Sequence, residues 1–300
     1  MKIFKANKLF GALMLVIFVL IAGLVILNLD FLLRAIHAYQ NGALTEEKLR
    51  LDLAAFDLGQ PVSPIPADAK TSSMDGMIQV HVPAGEFIMG DETGITLRHV
   101  VYLDEFWMDR VEVTNTMYKL CVAAKGCSLP ADDNIYFDHW AYRDHPVTYV
   151  TWFQADQYCQ WAGRRLPTEA EWEKSARGTD GRDYPWGNAR PNARLANFDD
   201  TMIHEAISSF RYELGASPYG VLNMSGNVRE WVADWYGPNY YAVSPYENPK
   251  GPETGIERSL RSGSYNEDVY EVAVYRRYRH EPESPGLSRG FRCAQDAGRK

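Results

Sequence analysis

The spacing of hydrophobic and polar positions changes several times along the chain. Residues 9–29 form an uncharged apolar run, and apolar residues at helical spacing follow across residues 30–58. From Met77 onward apolar and polar positions alternate, which predicts a hairpin of strands over 77–90 and another strand over 100–113. The pattern therefore predicts an apolar segment, an amphipathic helical segment and then a mixed domain.

Three helices are predicted in the middle of the chain. Thr114 and Asn115 cap the first, which runs to about Ala124, and the second spans 152–162 with its apolar stripe in the core. The third opens at the capping box of Thr168 and Glu171. After Gly178 only short strands are expected, over 228–233 and 259–262, so the fold class is α+β and loop-rich.

The run over residues 9–29 has the length of a transmembrane helix. Its 21 residues, at about 1.5 Å each, match the ~30 Å hydrocarbon core of a bilayer. Three lysines precede it (Lys2, Lys5 and Lys8), which places residues 1–8 in the cytoplasm and the chain after Asp30 outside it. A cleaved signal peptide is the alternative, but its apolar core would be shorter.

The segments after this run have separate expected roles. Residues 30–58 would pack on the bilayer surface or on a partner helix, or would act as a simple stalk. Residues 59–77 are rich in proline and serine and are predicted to be a linker. Residues 78–297 then form one domain, periplasmic or extracellular.

Charge and cysteine content narrow the classes of function. The net charge is −8, and no basic cluster interleaves with aromatic residues, which excludes nucleic acid as a partner. An even number of cysteines in an exported domain predicts two disulfides among Cys121, Cys127, Cys159 and Cys293. Four cysteines allow three connectivities, and the sequence alone leaves them open.

Seven short sequence blocks, taken in their order along the chain, resemble the motifs of the formylglycine-generating, sulfatase-modifying-factor family. The resemblance covers residues 78–296 and implies the C-type-lectin-like fold of that family, here preceded by one transmembrane helix. The blocks are Val82–Gly90, Glu112–Asn115, Trp161–Glu173, Tyr184–Asn188, Asn223–Trp231, Arg261–Tyr265 and Gly290–Cys293.

The resemblance also implies disulfides and calcium. Cys159 and Cys293 occupy the positions of a family disulfide, and Cys121 and Cys127, six residues apart at a helix end, would close a local ring. The family's calcium ligands correspond to Asn223, Gly226, Val228 and Glu230. A second calcium site would begin at Asn197 and Phe198, although residues 204–209 depart from the family pattern.

The sequence departs from the family at its catalytic centre. The family oxidises its substrate at a copper-binding pair of cysteines that follows the Gly-Ser-Tyr block. Here Gly263–Val274 contains no sulfur, so no copper is expected. The run Tyr275–Glu281 gathers three arginines, a histidine and an acid in one cluster, which would bind an anion or perform acid–base chemistry, or would be a structural salt-bridge network. Polar residues in this part of the chain form a candidate pocket. They are Ser264, Asn266, Arg277 and His280.

Two functions agree with these observations. One is a membrane-anchored binding or structural subunit of a membrane protein complex, in contact with the bilayer through residues 9–29. The alternative is an enzyme of the same family that modifies an exported protein or small molecule without copper. Formylglycine generation itself is not expected, because it would need thiolates from cysteines that are predicted to form disulfides.

Overall fold

The structure is a computed structural model that describes residues 65–298 except residues 93, 95, 132 and 133. The predicted cytoplasmic segment, transmembrane helix and amphipathic segment lie outside these residues, as does the first part of the predicted linker. Within the described part of the chain, no helix combines the length and apolar character needed to cross a bilayer.

An antiparallel four-stranded sheet joins both ends of the domain. Its order is β1-β2-β5-β10, where β1 is Lys70–Thr71, β2 is Ile78–Val82, β5 is Phe106–Asp109 and β10 is Ala294–Asp296. The strand β1 lies within the predicted linker, yet it pairs with β2. The domain therefore begins before residue 78.

The hairpin predicted over 77–90 is wrong. Strand β3 (Gly85–Met89) pairs with β4 (His99–Leu103) in a separate two-stranded sheet, while β2 pairs with β1 and β5. The chain turns away after β2, because Pro83 has no N–H for a ladder and Gly85 adopts a φ of 140°. The single strand predicted over 100–113 is likewise divided between two sheets, as β4 and β5.

The three predicted helices are confirmed. They are α1 (Asn115–Ala123), α2 (Trp152–Trp161) and α3 (Glu169–Arg177). The Thr114 hydroxyl accepts from the backbone N–H of Met117 and caps α1. Thr168 and Glu171 form the predicted capping box of α3, in which each side chain accepts from the other residue's backbone N–H.

The C-terminal half contains a second four-stranded sheet in the order β8-β7-β6-β9. Strands β6 (Arg229–Trp235) and β7 (Arg258–Arg261) match the two predicted strands. Strand β8 (Tyr278–His280) is antiparallel to β7, and β9 (Arg289–Phe291) is parallel to β6. Three-residue strands carry too little alternation to be predicted from a sequence pattern.

Two disulfides and a buried ion pair fix this loop-rich domain. Cys121 bonds to Cys127, and Cys159 bonds to Cys293 across 134 positions of sequence, as the resemblance implies. Arg164, on the loop after α2, donates to Asp75 and, at 2.8 Å, to Asp109 of β5. These three side chains are at most 1% exposed, so the segment around Asp75 is held against the core.

Replacing Cys159 and Cys293 together by alanine is expected to lower the free energy of unfolding by about 5 kcal/mol, since this bond closes a long loop in the unfolded chain. The matched control replaces Cys121 and Cys127, which close a six-position loop, and should cost about 2 kcal/mol. Denaturant titration of both variants measures the difference. Equal losses would contradict the loop-closure account.

Candidate functional site

A chain of buried ion pairs joins α3 to strand β7. Glu169, Glu173 and Arg177 are spaced four residues apart, so they share one face of α3. Arg261 of β7 donates to Glu169 at 3.0 Å and to Glu173 at 2.6 Å, and Arg177 donates to Glu173 at 2.8 Å. All four side chains are at most 2% exposed, so each charge is neutralised by its neighbours.

Arg277 continues this chain toward the surface. Its Nε donates to Oε1 of Glu169 at 2.7 Å and its second terminal nitrogen donates to Oε2 at 2.8 Å, which is a bidentate pair. Its remaining terminal nitrogen donates to the carbonyl of Gly237 at 3.0 Å. The guanidinium also lies 4.1 Å from the ring centre of Tyr241 and 4.8 Å from that of Tyr236.

The protonation of the acids follows from these contacts. Burial alone would raise the pKa of Glu169, but the charges of Arg277 and Arg261 outweigh burial and lower its pKa to about 2. Asp234 accepts from the backbone N–H of Glu169. Burial, together with the charge of Glu169, raises the pKa of Asp234 well above its ordinary value. The chain of ion pairs is therefore kept charged, while its neighbour Asp234 favours the neutral form.

A cavity of about 320 Å³ opens beside Arg277. The segment after β6 forms one side of it, with Tyr236, Asn239 and Tyr241. The segment before β8 contributes Glu271, Arg276 and Arg277, and the residues before β4 contribute Thr96 and Leu97. Cavities of this size accept small organic ligands or a peptide side chain.

The four residues of the predicted pocket do not come together in this cavity. Only Arg277 lines it. Ser264 donates to the side chain of Asn266 and, at 3.1 Å, to Glu267, within the loop after β7. His280 lies on β8 in register with Arg258. Burial, followed by the charge of Arg289, lowers the pKa of His280. Arg277 belongs to the salt-bridge network that the sequence analysis considered as the alternative.

The predicted ligands of the first calcium site lie on one buried segment, in which the side-chain oxygen of Asn223 lacks a hydrogen-bond partner. The side-chain oxygen of Asn223 is buried and has no hydrogen-bond partner, and its amide nitrogen donates to Glu112 at 3.0 Å. Both oxygens of Glu230 accept from Arg292 at 2.7 Å, and Trp172 adds a third donor at 2.8 Å. The Glu230 carboxylate is therefore occupied by protein donors, and the carbonyl of Gly226 accepts from the Ser262 hydroxyl at 3.1 Å. Val228 lies between these two residues in sequence.

The start of the second predicted calcium site is already hydrogen-bonded. The side-chain oxygen of Asn197 accepts from Thr201 at 3.1 Å, and its nitrogen donates to the carbonyl of Glu205 at 2.9 Å. The carbonyl of Phe198 accepts from the Thr201 hydroxyl at 2.7 Å. Among the residues that the structure describes, no group of three or more His, Cys, Asp or Glu side chains could hold a metal ion. Calcium remains a prediction from the resemblance.

Comparison with known proteins assigns the family. Residues 63–297 match the Sulfatase-modifying factor enzyme 1-like domain. The chain belongs to this family. A formylglycine-generating enzyme from Streptomyces coelicolor is 35% identical over 73% of this chain and 89% of its own length. The Streptomyces protein and this chain thus share the domain over nearly the whole of that relative.

Other family relatives carry different names. A serine/threonine-protein kinase pkn1 from Chlamydia caviae is 33% identical over 72% of this chain, which spans only 37% of that protein. A hercynine oxygenase from Mycolicibacterium smegmatis is 32% identical over 62% of this chain and 54% of its own length. The solved structure of PvdO from Pseudomonas aeruginosa superposes with a TM-score of 0.65 at 24% identity, covering 79% of this chain and all of PvdO. That similarity shows the fold alone.

Sequence reasoning missed most of the residues around the cavity. Glu169 and Glu173 appeared only as part of a helix start, although Glu169, Glu173 and Arg177 follow one another at intervals of four residues, which is typical of a charged helix face. Thr96 and Tyr241 are distant in sequence from Arg277, and no local pattern connects them. The signal for Arg276 was present in the run Tyr275–Glu281, which the sequence analysis treated as one cluster.

Replacing Glu169 by glutamine is expected to destabilise the domain by about 3–5 kcal/mol at neutral pH, because Arg261 and Arg277 lose their shared partner. In the wild type the ionised Glu169 carboxylate makes its full contribution to the free energy of unfolding above the ordinary pKa of 4.5. This contribution is lost as the pH falls toward the lowered pKa of about 2. The loss in the free energy of unfolding amounts to roughly 3 kcal/mol.

Denaturant titrations between pH 2.5 and 7 test this expectation. The Glu169→Gln variant should lose less stability than the wild type as the pH falls below about 4.5. Glu253→Gln changes an exposed side chain and should keep the wild-type profile. Parallel profiles for the wild type and Glu169→Gln would show that Glu169 does not supply this pH dependence.

Proposed function

We propose that this protein is a non-oxidase member of its family, which binds a ligand or partner instead of oxidising a cysteine. The observation that carries the proposal is the state of the four cysteines, all of which are in disulfides. Copper(I) is held by thiolates, and a disulfide sulfur carries no such charge. The chain therefore offers no thiolate pair for the copper chemistry of the formylglycine-generating enzymes it resembles.

The burial of the two disulfides supports the non-oxidase assignment. Cys121, Cys159 and Cys293 are fully buried, and Cys127 is 8% exposed. A reductant must reach these sulfurs through the core, and the Cys159–Cys293 bridge also joins α2 to the C-terminal strands. Opening it to form a copper site would remove a constraint on the fold. The short strands and long loops around these bridges support a C-type-lectin-like fold.

The proposed setting is the outer face of a membrane. The run over residues 9–29 and the lysines before it support a single membrane anchor with the N-terminus in the cytoplasm. Formation of two disulfides agrees with an oxidising compartment. A domain held beside a bilayer, without oxidase thiols, fits a binding or structural subunit of a membrane protein complex.

An enzyme without copper is the second candidate. The cavity beside Arg277 places a carboxylate, two guanidinium groups and two tyrosines around one space, and such convergent polar groups are common in active sites. The family's names support a change of chemistry, since formylglycine-generating enzyme and hercynine oxygenase both occur among the relatives. Conversion of a bound molecule would favour this candidate over a binding subunit.

Thiol alkylation followed by intact mass spectrometry tests the non-oxidase proposal. The folded full-length protein should take up no alkylating reagent, and four labels should appear only after denaturation and reduction, because all four cysteines are paired. Copper(I) titration should show no tight site. Two reactive thiols in the folded protein, together with stoichiometric copper(I) binding, would overturn the proposal.

Purification in mild detergent tests the role as a subunit. Tagged full-length protein is expected to bring down other membrane proteins in fixed stoichiometry. A variant in which residues 9–29 are replaced by an unrelated transmembrane sequence distinguishes contacts of the helix from contacts of the domain. Recovery of the protein alone, with a chemically altered small molecule, would support the enzyme candidate instead.

A further inference from the structure

The cavity beside Arg277 contains polar atoms that nothing in the described chain satisfies. The hydroxyl of Thr96 and the Nε of Arg276 are buried, and neither has a hydrogen-bond partner. Thr96 is 8% exposed, and both residues line the same cavity. Leaving a buried donor unpaired costs free energy, more so for a charged one. Two unpaired donors from residues that line one cavity offer hydrogen bonds that a ligand there can accept.

Neighbouring contacts fix the position of Arg276. Its terminal nitrogen pairs with Oε1 of Glu271. The other carboxylate oxygen of Glu271 accepts from the Tyr278 hydroxyl at 2.7 Å. Arg276 is therefore held at one end by Glu271, while its buried Nε has no hydrogen-bond partner. A donor held in this way loses little conformational freedom when a ligand binds.

The electrostatic balance at this cavity favours an anion. Four guanidinium groups and three carboxylates belong to the ion pairs at and behind it, so one positive charge remains. A fourth acid, Asp234, contacts these ion pairs through the backbone of Glu169. Burial and the charge of Glu169 raise the pKa of Asp234 well above its ordinary value. It adds little negative charge near neutral pH.

We propose that this cavity binds the carboxylate of a small organic molecule or of a peptide. One carboxylate oxygen accepts from the Nε edge of Arg276 and the other from the Thr96 hydroxyl. Two open donors match the two oxygens of a carboxylate. The walls from Tyr236, Pro238 and Tyr241 provide apolar surface for the body of the ligand.

A carboxylate fits this site better than phosphate or a cation does. Inorganic phosphate carries four oxygens and, near neutral pH, up to two negative charges, whereas the cavity offers two unpaired donors and also contains Glu271. A cation would lie beside Arg276 and Arg277. The proposal rests on the proposed function in one respect, namely that the ligand is bound and left unchanged.

Isothermal titration calorimetry with the full-length protein in mild detergent tests the site. The probes are hippurate, its neutral amide and inorganic phosphate, with empty micelles as the blank. Hippurate should bind, and the amide and phosphate should bind at least about tenfold more weakly, because a charge-assisted hydrogen bond is lost or mismatched. Equal binding of hippurate and its amide, tighter binding of phosphate, or no binding of hippurate at millimolar concentration would overturn the proposal.

Variants locate the binding within the cavity. Arg276→Gln should weaken hippurate binding at least about tenfold, and Thr96→Val about three- to tenfold. Arg143→Gln is the matched control, since Arg143 is 49% exposed, pairs with Asp144 and does not line the cavity. It should stay within about twofold of the wild type. Thr96→Val keeps the test informative where Arg276→Gln unfolds, and equal losses in Arg276→Gln and Arg143→Gln would overturn the assignment.

The two proposals fail in different ways. Mass spectrometry of the hippurate after titration should recover it unchanged. Conversion of hippurate, or reactive thiols in the folded protein, would refute the binding-only function and leave the carboxylate site intact. Equal affinities for hippurate and its amide would refute the carboxylate site and leave the result of thiol alkylation unaffected.

Discussion

The buried ion chain from Arg177 to Arg277 is the constraint on which the cavity depends. Its charges alternate, so each carboxylate lies between two guanidinium groups, and removing either carboxylate leaves a buried guanidinium without its ion pair. This chain of ion pairs fixes α3 against β7, and its last member, Arg277, lines the cavity. A domain with few regular strands thereby gains a rigid wall, and Arg277 is a structural residue of that wall.

The other constraints act at the edges of the domain. The Cys159–Cys293 bridge ties α2 to the C-terminal strands, and Arg164 holds Asp75 and Asp109 together in the core. Burial is the largest influence on Asp109 and raises its pKa to about 6, although Arg164 opposes this rise. These contacts help to hold a chain with long loops in one arrangement.

The sequence pattern predicted the three helices, because their caps and apolar positions are set by residues close together in sequence. The cap at Thr114, the capping box of Thr168 and the stripe of α2 depend on residues within one or two turns, and the structure contains all of them. Strand pairing depends on distant residues, so the sheet that joins β2 to β5 and β10 could not be read from alternation. The cavity was missed for the same reason, because Thr96 and Arg276 line one cavity only in the folded protein.

The family fold is retained here with its sulfur atoms used for structure. The relatives named as formylglycine-generating enzymes share the domain, but in this chain every cysteine is in a disulfide. The most direct test incubates the full-length protein with copper(I), oxygen and a cysteine-containing peptide, followed by mass spectrometry of the peptide. We expect the peptide cysteine to remain unoxidised by the protein. Catalytic conversion of that cysteine to formylglycine would contradict the account.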